Sequence, residues 1–223
     1  LQTEESLSHF NLYDILASFL PGAFLLLSLL IPYSGAEIIL TEVTVGGSIV
    51  FIVFAYTLGL MTQALGGTIH SSEDDFIERM RRVTEGTKDG EASDVKPTDI
   101  QFVESVRAEF DLDASYNDWE SIYRLVLAKL ETTSRSRSIR LQALFLAMRG
   151  FTVCGIVLIM AYTALLVLIS FDLAEAAAST GTLLVLLPLA IVLTFLSWSR
   201  GAEFSEDVIS YMILEYTLER NNT

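Results

Sequence analysis

Four stretches of the chain run for the length of a membrane span without a charged residue: Ile15 to Pro32, Val45 to about Gly67, Gly150 to Phe171 and about Thr180 to Trp198. A hydrocarbon layer roughly 30 Å thick needs about 20 apolar residues in a helix, because each residue advances about 1.5 Å. The pattern predicts an all-α integral membrane protein with four transmembrane helices and a helical insertion between the second and third. Its pieces are an N-terminal helix pair (1–67), an acidic helical domain (68–138), a second pair (139–200) and a C-terminal helix (201–223).

Between the pairs the pattern changes to short amphipathic segments. Ser71 or Ser72 is placed to cap a helix through Arg82, with Glu73, Asp74 and Asp75 in its first turn and Gly86 as its stop. Gly86 to Pro97 has no apolar periodicity and reads as a loop. Thr98 with Gln101, and Asn117 with Glu120, have capping-box spacing for two further helices. The second presents Trp119, Ile122, Tyr123, Val126 and Leu130 at three- and four-residue spacing, a stripe that must be covered. A helix from about Ile139 should run into the third span. Ser205 to Arg220 should form a last helix, with Val208, Ile209, Met212, Ile213 and Tyr216 on one side. The two exposed stripes ask for a partner protein or a tight fold-back.

Within the spans, Pro21 with Gly22 and Pro188 predict kinks, since proline deletes a backbone donor and crowds the carbonyl four residues earlier. Ala55, Gly59, Gln63 and Gly67 recur at spacing four. Small residues in such a row let two backbones approach, and Gln63 is placed to hydrogen-bond across the interface, so the face is expected to join copies of the chain. Arg149 stands where the third span begins and Asp14 at the matching depth of the first. A charge there must pair or reach water, and a salt bridge between the two is expected.

Charge placement sets the topology. Of the 14 basic residues, twelve lie between Arg79 and Arg149 and the others are Arg200 and Arg220, so the insertion and both termini are expected in the cytoplasm. The flank of the first span carries Glu4, Glu5 and Asp14 without Lys or Arg, unlike a cleaved signal peptide. The formal net charge is −14, and arginine outnumbers lysine. That acidity excludes nucleic acid as a ligand and suits a salt-rich cytoplasm such as that of a halophilic archaeon, or a basic protein partner.

Candidate chemistry is sparse. Asp111, Asp113, Ser115 and Asn117 imitate a calcium loop, but Tyr116 stands where glycine is required and Ile122 where glutamate is. His9 and His70 have no ligand neighbours at zinc spacing, and Cys154 is the only cysteine. No metalloprotease, serine-hydrolase or phosphate-loop motif occurs, and no span holds an Asp, Glu or His to act as acid or base, so no catalytic residue, metal or cofactor is assigned.

Tyr13-Asp14 followed by Pro21-Gly22, with Arg140-Leu141-Gln142-Ala143-Leu144 and Arg149 before the third span, resembles a family of four-span prokaryotic membrane proteins. Some of these are encoded beside antiphage defence systems, and the resemblance implies a membrane-effector role. The sequence reading is thus a non-enzymatic assembly or interaction protein in the cell membrane, self-associating, with an oligomeric gated pore as the alternative.

Overall fold

The computed structural model describes residues 15–34, 44–69, 71–89, 95–113, 116–131, 137–173 and 180–221. These form a π-helical turn, Ile15–Phe19, continuous with α1 (Leu20–Ser34), then α2 (Val45–Gly67), α3 (Ser72–Asp89), α4 (Pro97–Glu109), α5 (Trp119–Glu131), α6 (Arg137–Ser170) and α7 (Thr180–Asn221). No strand occurs among the described residues. Three of the helices are long and apolar enough to cross a membrane, α2, α6 and α7, and Ala17–Pro32 is a shorter apolar helix. The chain divides into two compact units, residues 1–69 with 143–202 and residues 70–142 with 203–223.

In the first unit α1 is the shared wall. It packs on α2 along one side. With α6 and α7 it forms an apolar core of Leu25, Cys154, Leu158, Tyr162, Leu165, Leu183 and Ala190. Phe24 and Phe151 meet edge to face, ring centres 5.7 Å apart. The outward residues of α2 and α7, among them Ile49, Val53, Leu60, Val185, Leu189 and Phe195, are all more than 45% exposed. Apolar faces of that extent suit a hydrocarbon solvent, not water. Pro188 lies inside α7 without interrupting it.

The second unit is a helical cluster built on its own core. Phe76 and Met80 of α3, Phe102 and Val106 of α4, the stripe of α5, and Ile209, Met212, Ile213 and Tyr216 of α7 bury one another, with Val208 also fully buried. The rings pack edge to face: Phe76 to Phe102 at 6.0 Å and Phe102 to Tyr216 at 5.4 Å. Covering each such aromatic is worth about 1.5–3 kcal/mol. Trp119, Ile122, Tyr123, Val126 and Leu130 are therefore covered by the chain itself, and the expected docking face is a fold-back.

Several expected boundaries move. α3 continues through Gly86 to Asp89 instead of stopping at Gly86; one mid-helix glycine costs only about 1 kcal/mol against alanine. α4 begins at Pro97, not Thr98, without a side-chain cap at Lys96. Proline suits a first helical position, where its missing N–H would be unpaired anyway. The cap of α5 is Asp118, not Asn117: its carboxylate accepts the Ser121 N–H at 3.2 Å and the Ser121 hydroxyl at 2.6 Å, while Glu120 pairs with Arg124. α6 begins at Arg137, two residues before Ile139. The C-terminal helix is not separate, since α7 runs unbroken from Thr180 to Asn221.

Candidate functional site

Gln63 and Arg149 of the first unit meet in one node at the end of α2. Pro21 has no N–H to give to the Ala17 carbonyl, its partner four residues back in an α-helix. Gln63 of α2 supplies the missing donor: its Nε2 donates to the Ala17 carbonyl and, at 2.7 Å, to the Leu146 carbonyl of α6. Arg149 Nη2 donates in turn to Gln63 Oε1 at 3.2 Å and to the Gln63 carbonyl at 3.3 Å. A cation at the C-terminal end of α2 is also favoured by the helix dipole. One amide thus ties three helices together with both its hydrogens used. The Arg149 guanidinium carbon lies 5.7 Å from the Phe145 ring centre.

Glycines make this convergence possible. A Cβ on Gly150 would lie 2.8 Å from Gln63 Nε2 and 2.9 Å from Pro21 Cγ; one on Gly66 would lie 2.7 Å from Arg149 Cγ. Where α1 crosses α2 the backbones themselves touch: a Cβ on Gly22 would fall on the Ala55 carbonyl, and one on Gly59 on the Ser18 carbonyl. Ala55 and Gly59 are accordingly buried inside the chain. The stripe expected to join copies is occupied by α1 of the same chain, while Gly67 is exposed, its would-be Cβ 3.8 Å from Arg149 Nη1.

Two further side-chain donors of the first unit bond to carbonyls of α1. Cys154 Sγ donates to the Pro21 carbonyl at 3.3 Å, and the Tyr162 hydroxyl to the Ser28 carbonyl at 2.8 Å. Beside Tyr162 lies a cleft of about 380 Å³, walled by Phe24, Ser28 and Ile31 of α1, Leu158 of α6, and Leu186 and Leu193 of α7. Its lining carries no charge.

In the second unit a nearly buried ion pair joins α3 to α4. Arg79 donates two hydrogen bonds of 2.8 Å to the Asp99 carboxylate and a third, of 3.0 Å, to Ser210 Oγ of α7. The two side chains are 15% and 4% exposed, so the pair is nearly withdrawn from water. Glu215 of α7 accepts the Arg137 and Ser138 N–H groups at 2.6 and 3.3 Å and the Ser138 hydroxyl at 2.7 Å, which caps the start of α6. Ser72 and Tyr123 share a hydrogen bond of 3.0 Å, and burial pushes the Tyr123 hydroxyl above the ordinary tyrosine range. The two hydrogen bonds from Ser121 hold the Asp118 carboxyl below its usual value.

Of the residues singled out from the sequence, Gln63, Arg149, Pro21 and Gly22 meet at or next to the node. Asp14, the expected partner of Arg149, lies outside the described residues, as do His9, His70 and Ser115. Gly67 lies beside the Arg149 guanidinium, and Pro188 is in α7, away from the node. The Arg79–Asp99 pair and the Glu215 cap are not legible in the sequence, since each joins residues far apart along the chain. Among the described residues no three His, Cys, Asp or Glu side chains gather to hold a metal. The chain matches no family model, no curated protein and no solved structure.

Proposed function

We propose that this chain is a four-span membrane protein with both termini and the second unit in the cytoplasm, acting as a non-enzymatic assembly or interaction protein. The observation that carries the reading is how the first unit uses its polar side chains. Gln63, Arg149, Cys154 and Tyr162 all bond to backbone or side-chain groups of neighbouring helices. Their role there is to fix helix positions. The spans contain no Asp, Glu or His to move a proton. Arginine and lysine are confined to residues 79–149 with Arg200 and Arg220, which supports the cytoplasmic side for the second unit. Self-association falls to the outward apolar faces of α2 and α7 or to the second unit, because Ala55 and Gly59 are already covered.

Three measurements test this reading. An impermeant thiol reagent on intact cells should label Ser34→Cys and leave Ser93→Cys untouched; labelling of Ser93→Cys would overturn the topology. Light scattering of the chain in nanodiscs should give a mass above one copy, and a strictly monomeric mass would remove self-association. Planar-bilayer recordings should show no unitary conductance. Discrete openings would replace the assembly reading with a gated pore and would favour the effector role that the resemblance implies.

A further inference from the structure

The cleft of about 380 Å³ beside Tyr162 lies between α1 and α7, with α6 as its floor. Its lining runs from Leu186 to Leu196 along α7 and from Phe24 to Ile31 along α1. At about 1.5 Å per residue the α7 wall is about 15 Å long, half of a hydrocarbon layer roughly 30 Å thick. Spread over that length, the volume leaves a mean cross-section of about 25 Å², about a third of what an α-helix some 10 Å across fills. One file of carbons at contact distances near 4 Å fits it, and a helix of a second copy does not. Trp198 stands two residues beyond Leu196 and is 49% exposed, and tryptophan marks the water boundary of a span. α1 runs with α6, pairing Phe24 with Phe151 and Ser28 with Tyr162, while α7 runs against it, bringing Thr194 to Gly155 and Gly201 to Met148. Phe24 and Leu196 therefore mark the boundary end of the cleft, and Ile31 and Leu186 its deep end.

We propose that this cleft seats one hydrocarbon chain of a membrane lipid, drawn from the leaflet whose boundary Trp198 marks. The rim residues Leu189 and Val192 belong to the outward apolar face of α7, so the cleft opens sideways onto hydrocarbon. Left empty, its walls would lose their dispersion contacts on that side. No charge lines it, and the Tyr162 hydroxyl is already bound to the Ser28 carbonyl at 2.8 Å, so the site holds the chain and leaves the head group unselected. The lipid lies with its head beyond Phe24 and Leu196 and its terminal methyl between Ile31 and Leu186. This site rests on the membrane residence proposed above; it needs neither the assembly role nor a particular side for the termini.

Photolabelling of the protein in phosphatidylcholine nanodiscs, read by mass spectrometry, tests the site. A phosphatidylcholine with a diazirine at the end of one acyl chain should label Ile31 and Leu186 about tenfold more than the outward Val53 and Val185, the scale of some ten extra carbon contacts. Moving the diazirine next to the ester should shift the label to Phe24 and Leu196. A phosphatidylglycerol probe should give the same pattern. Leu193→Trp fills the cleft from α7 and Ile31→Trp from α1; either should bring Leu186 labelling down to the level of Val53, whereas Val185→Trp, outside the cleft, should leave it unchanged. Equal labelling of cleft and outward residues would overturn the proposal, as would labelling that survives both fillings or that is confined to one head group. If Leu193→Trp does not fold, Ile31→Trp carries the comparison, and failure of both to fold would show that the cleft has no room and overturn it too. A protein that does not enter nanodiscs would remove the membrane reading and this site together; one that enters without cleft labelling would remove this site alone.

Discussion

Single glycines decide how close the helices of the first unit come. Gly59 faces the backbone of Ser18, which cannot step aside without moving all of α1, whereas a Cβ on Gly46 at the start of α2 meets nothing within 4 Å. Gly59→Ala should therefore destabilise the chain by about 1–3 kcal/mol, the usual cost of overpacking. Gly46→Ala should be neutral or stabilise by up to about 1 kcal/mol through helix propensity. Thermal unfolding in one detergent reads both, and equal shifts for the two variants would rule out the close crossing. The row Ala55, Gly59, Gln63 was legible in the sequence as a close-packing face. Which helix it packs against was not, because small-residue spacing is the same whether the neighbour belongs to the same chain or to another copy. The same holds for Arg149: its depth demanded an acceptor, but only the fold brings Gln63 to it.

At the scale of helices, periodicity announced the stripes of α5 and the C-terminal half of α7, while their mutual burial was a fact of tertiary structure. Helix ends were read less well. A capping box is a local pattern, and at Pro97 and Asp118 a different local rule won. Nothing local marks residues 198–205 as helical either, yet α7 includes them. The buried pair between α3 and α4 gives this scale its sharpest test. Asp99→Ala leaves the Arg79 cation 15% exposed and without its carboxylate, and should cost about 3–5 kcal/mol. Replacing both by leucine should recover most of that, and urea titration followed by Trp119 fluorescence would show it. A double variant no better than Asp99→Ala would mean the pair does more than neutralise itself. Tyr123 adds a pH test. Its folded value is raised from the ordinary 10.0 by burial, so its contribution is complete below pH 10.0 and is lost as pH rises through the folded value. Wild type should lose stability more steeply above that point than Tyr123→Phe. Parallel curves would remove Tyr123 as the cause.

For the molecule as a whole, the division of charge is the dominant feature. The second unit holds twenty-one of the 28 acidic residues and twelve of the 14 basic ones, while the four long apolar stretches of the sequence hold none. Its core is a cluster of aromatic and aliphatic side chains, and the electrostatic term that opposes its fold is repulsion among carboxylates in excess of the basic residues. Exposed ion pairs such as Arg124 with Glu73 offset little of this, because such pairs contribute about 0–1 kcal/mol. Salt shortens the range of the repulsion from about 10 Å at 0.1 M to about 3 Å at 1 M, below the spacing of most like charges on a helical surface. The Arg79–Asp99 pair, withdrawn from solvent, is screened far less and survives the change. Raising potassium chloride from 0.1 M to 1 M should therefore raise the melting temperature of the second unit, followed through Trp119. A melting temperature that falls across the same range would show that attractive surface pairs outweigh the repulsion, and would leave the acidic composition to be explained by a basic partner instead of a salt-rich cytoplasm.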